Sequence, residues 1–150
     1  MSDALAITNL LYRYAELIDS GDLAATSELF ADAVTVYGDN GDEVRGAAPM
    51  LEMWRGWVKM HPDGTPRTKH VITNPIIDLD EDAGTAKCRS YYTVLQQVAE
   101  GPLQVVAAGR YHDEFRRVDG TWRFSRRDYS MLDLTGDLSE HLMIQPAGTP

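Results

Sequence analysis

The stretch "GRYHDEFRRVDGTWRFSRRD", residues 109–128, decides the architecture. Its two halves each alternate apolar or small residues with charged ones, the period of a strand with one buried face. Asp119-Gly120 between them is the two-residue chemistry of a tight hairpin. In the first half, alternation puts Val105, Ala107, Gly109, Tyr111, Asp113 and Phe115 on one face. In the second, Trp122 and Phe124 anchor the core, and the same alternation puts Arg126 beside them. An arginine on a core face is costly unless it is paired or serves an anion. Arg126 is therefore expected either to contact a ligand or to pair across strands with a carboxylate such as Asp113.

Working outward, "TKHVITNPIIDLDED", "GTAKCRSYYTVLQQVA" and "PLQVVAAGRYHDEFRRV" are further long strand-like runs, with "TWRFSRRDYSML" as the fourth. The connectors "DEDAG", "EGP" and "DG" suit antiparallel neighbours. Within the second run Ala86, Cys88, Ser90, Tyr92, Val94 and Gln96 form the inward face. His70, Ile72, Asn74 and Ile76 share a face of the first, unless Pro75 breaks its register. Upstream, "DALAITNLLYRYAELIDSGD" carries Ile7, Leu10, Leu11, Tyr14, Leu17 and Ile18 at helical spacing, and Gly21 stops it in a left-handed turn. Asp22 caps a second helix, "LAATSELF"; "AVTVYG" is a short strand; "APMLEMWRGWVKM" is a third helix with Pro49 in its first turn. Helices segregated from an antiparallel sheet make an α+β domain. Long strands curl around such helices into a cone-shaped half-barrel whose concave side is a pocket. The whole chain, 1–150, reads as one domain, with the tail after about residue 134 peripheral.

Composition bounds the function. With 150 residues, 43% hydrophobic and 25% charged, the chain can bury a core. The formal net charge of -9 argues against nucleic acid, which needs a basic surface to release counterions. No apolar run approaches a membrane span, and "MSDALAITNL" lacks the pattern of a secretory leader. Cys88 is the single cysteine, which fits a reducing cytoplasm. A small hydrophobic organic ligand is the natural partner. His61, His112 and His141 have no partners at metal-ligand spacing and read as surface or loop residues. Trp54, Trp57, Met50 and Met53 read as core or subunit contacts.

The polar residues expected inside the cone are His70, Tyr92, Tyr111 and Arg126, with Tyr14 on the buried face of the first helix. Asp19 is the odd one. It sits at that helix's C-terminal end, where a negative charge opposes the macrodipole. The segments "LLYRYAELIDSGDLAATSELFADAVTVYG", "KHVITN" and "GRYHDEFRRVDGTWRFSRRD" together resemble the SnoaL-like group of the nuclear-transport-factor-2-like superfamily. Functional relatives in that group include scytalone dehydratase, hexachlorocyclohexane dehydrochlorinase and bacterial bile-acid dehydratases. The resemblance implies a cofactor-free, metal-free lyase in which an Asp–His pair removes a proton beside a carbonyl. By position it assigns the pair to Asp19 and His70 and a catalytic tyrosine to Tyr14. Tyr37 and Arg126 fall at substrate-binding positions. Tyr92 stands where scytalone dehydratase has a second histidine, and Tyr111 roughly where it has an asparagine. It also implies a dimer or trimer. An isomerase, a polyketide cyclase or a non-catalytic binding module would use the same parts.

Overall fold

The computed structural model describes residues 1–146. Three helices precede and interrupt a seven-stranded sheet: α1 (Asp3–Ser20), α2 (Leu23–Glu28), β1 (Val34–Tyr37), β2 (Asp42–Arg45) and α3 (Ala47–Trp57). Then come β3 (Thr68–Asp80), β4 (Thr85–Gln96), β5 (Gln104–Val118), β6 (Thr121–Asp128) and β7 (Leu132–Thr135). The strand order is β2-β1-β6-β5-β4-β3, with β7 pairing β5. All pairs are antiparallel except β1 with β6. The expected α+β cone is present: a curved, unclosed sheet whose concave face holds the helices. Strands β2 and β7 are four residues each and mostly exposed.

Local chemistry sets the frame. Ser2 caps α1 by accepting from the Leu5 amide at 3.3 Å, and Gly21 ends it at φ 83°. A side chain at Gly21 would also collide with the Gly64 carbonyl, so the turn after Asp19 needs glycine twice over. Asp22 caps α2 by accepting from Ala25 at 2.9 Å. Ile7, Leu11, Phe30, Phe115 and Phe124 are buried together, and Phe30 stacks on Phe124 with ring centroids 4.7 Å apart.

Three irregularities shift faces. In β3 the pairing slips between Thr73 and Ile76, and Asn74 takes φ 44°. Pro75 does break the register: Ile72 faces in before it, and Ile77 and Leu79 after it, while Ile76 is exposed. In β5 the slip against β4 turns Val105 outward and buries Val106, contrary to simple alternation. In β6, Phe124 opposes Phe115 but Arg126 opposes Glu114, so Ser125 is an extra residue. That bulge turns Arg126 out and Arg127 in.

Among the described residues, the tail beyond β7 is tied to the rest of the fold. Beyond β7, the His141 carbonyl accepts from the Lys59 amide at 3.0 Å, and the Met143 amide donates to Trp57 at 2.8 Å. Leu142 bridges to Val58, so the segment crosses the open end of the cone.

Candidate active site

The cone encloses a cavity of about 230 Å³. Its wall includes Tyr14 and Ile18 from α1, Trp54 and Trp57 from α3, His70 from β3, Tyr92 and Val94 from β4, and Ala107 and Tyr111 from β5. Tyr37, Tyr129, Leu132, Leu138, His141 and Leu142 also line it. A cavity of roughly 150 Å³ takes benzene, so this one suits a compound of one or two rings.

Asp19 and His70 meet. The last turn of α1 lies against the start of β3, so the Asp19 carboxylate receives three donors. His70 Nδ1 lies 2.6 Å from Oδ1, the His70 backbone amide donates to Oδ2 at 2.7 Å, and Thr68 Oγ1 donates to Oδ1 at 2.7 Å. Burial works to raise the Asp19 pKa, but the bonds and charge of His70, with the Thr68 bond, outweigh it and hold it below 3.8. Because a carboxylate only accepts, Nδ1 carries the proton and Nε2 is the ring's basic nitrogen. This contact answers why an acid sits at the unfavourable end of α1: the sheet, and not the helix, supplies its donors.

Four phenols line the same space. Tyr129 donates to the Tyr14 hydroxyl at 2.9 Å, Tyr14 packs edge-on to His70 with centroids 6.0 Å apart, and Tyr92 stacks on Tyr111 at 4.3 Å. Burial pushes Tyr14, Tyr111 and Tyr129 well above the usual phenol range and Tyr92 up to about 12. All four stay protonated and can donate. Gly109 does not open space for a ligand as its size suggests. A Cβ there would strike the Tyr92 hydroxyl and the Met131 carbonyl, so glycine is what lets Tyr92 lie flat.

Arg126 does not reach the cavity. It is part-exposed on the outer side, 3.5 Å from Glu43. Its neighbour Arg127 is the buried arginine, held by Asp113 through two 2.8 Å bonds, the cross-strand pairing expected of Arg126 displaced by one residue. Its guanidinium carbon sits 4.3 Å from the Tyr14 ring centroid and 4.1 Å from that of Tyr111. Burial opposes its charge, but the Asp113 carboxylate keeps it ionised. Tyr37 lies at the rim, its ring centroid 5.4 Å from that of Trp57.

Several residues of this site escape sequence reasoning. Trp54 and Trp57 line the cavity as well as packing the helix. Thr68 shares the face of His70 two residues earlier, which was a readable signal. Tyr129 follows β6 in a loop, where alternation has ended. His141, expected at the surface, is 8% exposed and stands in the wall with its ring centroid 6.2 Å from that of His70. Burial, with some repulsion from His70, lowers its pKa to about 4. Among the described residues, no three His, Cys, Asp or Glu side chains gather where they could hold a metal ion.

This geometry can be set beside known proteins. The model of the SnoaL-like domain family matches residues 1–128. A search of curated proteins gives no match. Among solved structures, a protein of Novosphingobium aromaticivorans provisionally assigned as a scytalone dehydratase superposes with a TM-score of 0.71 at 22% identity, covering 99% of this chain and 95% of its own. An NTF2-like protein with a cystatin-like fold from the same organism gives 0.70 at 24%, covering 89% and 84%. A provisionally assigned aromatic ring hydroxylase of that organism gives 0.69 at 27%, covering 92% and 95%. Family model, helix order and curved sheet agree: the chain belongs to the SnoaL-like domain family.

Proposed function

We propose that the protein is a cofactor-independent dehydratase acting on a one- or two-ring β-hydroxy ketone. One observation carries the reading: a histidine whose Nδ1 is held by a buried carboxylate, in the wall of a tyrosine-lined cavity. Imidazole is the side chain best suited to general-base work near neutral pH. Nε2 of His70 takes the proton on the carbon beside the carbonyl. The C–H electron pair forms the enolate, whose oxygen the protonated phenols of Tyr14 and its neighbours stabilise. The enolate then expels the hydroxyl from the next carbon, and the His70 imidazolium returns its proton so that water leaves. Asp19 fixes the ring and stabilises the imidazolium. Tyr37, Tyr92 and Tyr111 shape the aromatic slot. The provisional scytalone dehydratase of similar fold is consistent with this chemistry.

The test substrate is 3-hydroxy-1-tetralone, which loses one water to give 1-naphthol after tautomerisation. Release of 1-naphthol is followed by its fluorescence. Turnover that falls about 10²- to 10⁴-fold in His70→Ala supports the reading. Proton exchange without water loss would make the protein an isomerase, and binding without either would make it a carrier.

The same proposal includes assembly and location. Val71, Tyr91, Val105 and Leu134 are exposed on the convex side of the sheet, and contiguous apolar surface of that kind favours a partner. We place a second copy there, giving a dimer or trimer. Free, buried Cys88 suits the cytoplasm. No helix among the described residues is long and apolar enough to cross a membrane.

A further inference from the structure

His141 is a polar wall residue for which the mechanism above has no use, and its setting is built rather than incidental. It lies on an irregular segment, yet its neighbours are tied down on every side. The Glu140 carbonyl accepts from Gln96 Nε2 at 2.8 Å and from His61 Nε2 at 2.9 Å, and the Glu140 carboxylate meets Lys59 Nζ at 3.0 Å. Gln96 also ties the segment's support to the Pro66 carbonyl at 3.0 Å. The His141 backbone is held by Lys59 and Leu138. The ring carried by this frame has a buried Nδ1 with no hydrogen-bond partner. A ring nitrogen enclosed without a partner forgoes the hydrogen bond it had in water. A purely structural position would hold phenylalanine or leucine more cheaply.

We infer that His141 is a specificity-determining residue that hydrogen-bonds the ligand oxygen on the carbon next to the one His70 deprotonates. The inference rests on the hydroxy-carbonyl reading of the cavity. Its geometry is the edge-on approach of the two rings, 6.2 Å between centroids at 62°. Two adjacent carbons of a ring present their hydrogen and hydroxyl within such a span. The tyrosines, from α1, β4, β5 and the loop after β6, line the rest of the cavity, where the carbonyl is placed by the mechanism above. His141 stays neutral where the enzyme works, so it offers a lone pair or an N–H without competing for the proton that His70 takes. The specificity follows: a ligand with oxygens on both the first and third ring carbons satisfies His141, and one lacking the second oxygen leaves it unpaired.

Two inert aromatic probes isolate the effect. 1,3-Dihydroxynaphthalene carries both oxygens, and 1-naphthol only the first. The unmodified protein should bind the diol about tenfold more tightly, one hydrogen bond's worth. His141→Phe should erase that preference and His141→Gln keep part of it. A merely structural histidine would weaken both probes alike when replaced. In the unmodified protein, the ring ¹⁵N signals of His141 should move with the diol and stay with 1-naphthol, which decides the matter even if His141→Phe does not fold. A preference retained in His141→Phe, or ring signals that the diol leaves unmoved, overturns the role of His141 while leaving the dyad untouched. If neither probe binds the unmodified protein at millimolar concentration, the hydroxy-carbonyl reading fails and His141 falls with it.

Discussion

Two buried carboxylates stand a few side chains apart and do opposite things. Asp113 is 2% exposed, and both its oxygens are taken by Arg127, itself enclosed by aromatic rings. Asp19 is 8% exposed and is also fully bonded, but its partner His70 keeps a second nitrogen for the cavity. The first pair is walled off from the cavity, its one unpartnered atom, Arg127 Nη1, being buried, while the second presents His70 in the cavity wall and passes its effect on. Burial and pairing alone therefore do not mark an active site in this fold. What marks it is a bonded pair that keeps a functional atom in a wall that a ligand can reach.

Damage to each pair in turn, read in both rate and stability, separates the two roles. Asp19→Asn should lower turnover of 3-hydroxy-1-tetralone by about 10²- to 10⁴-fold, because the ring loses its fixed tautomer. Its cost in urea unfolding should be only about 1–2 kcal/mol, since the amide still accepts. Arg127→Met should do the reverse. It strands a buried carboxylate and should cost about 3–5 kcal/mol of stability. Adding Asp113→Leu to Arg127→Met should recover much of that loss. If the double variant is no more stable than the single one, the closed-pair account is wrong.

A smaller effect appears through pH. His141 titrates at about 4 in the folded protein against 6.5 for an ordinary histidine. Above 6.5 both states hold it neutral and it contributes no pH dependence. As pH falls from 6.5 to 4 the unfolded chain gains a proton that the folded one refuses, so stability drops by up to about 3 kcal/mol. Unfolding free energies of His141→Gln should lack that share of the decline. Asp19 acts lower on the scale. Its carboxyl is held below 3.8, so its contribution is complete above that value and disappears as pH falls through the lower folded value. The weakest expected effect lies on the convex face, where Tyr91→Glu should shift the oligomer towards monomer without changing turnover per subunit. Light scattering that finds the unmodified protein monomeric at micromolar concentration removes that face from the account.

The sequence was readable wherever alternation ran unbroken. Every inward residue expected on β4, from Ala86 to Gln96, is buried. It failed one residue past each bulge. Ser125 adds a residue to β6, so the buried arginine paired with Asp113 is 127, and Arg126, expected there, turns out towards Glu43. Val105 was lost in the same way. A bulge depends on pairing with a neighbouring strand, and a single strand's sequence does not carry it. Asp19 and His70 were legible because an acid at a helix C-terminus and a histidine opening a strand each break a local rule. His141 broke none. It sits in a segment with no period, and only the folded chain brings it to the cavity.

The central claim is that His70, oriented by Asp19, removes a proton beside a carbonyl. It is tested most directly with 1-tetralone, which has the acidic carbon but no hydroxyl to lose. In D₂O the unmodified protein should catalyse deuterium uptake at C2, read by NMR, and His70→Ala should reduce uptake to the buffer rate. Exchange that persists in His70→Ala, or that the unmodified protein does not accelerate, would contradict the account.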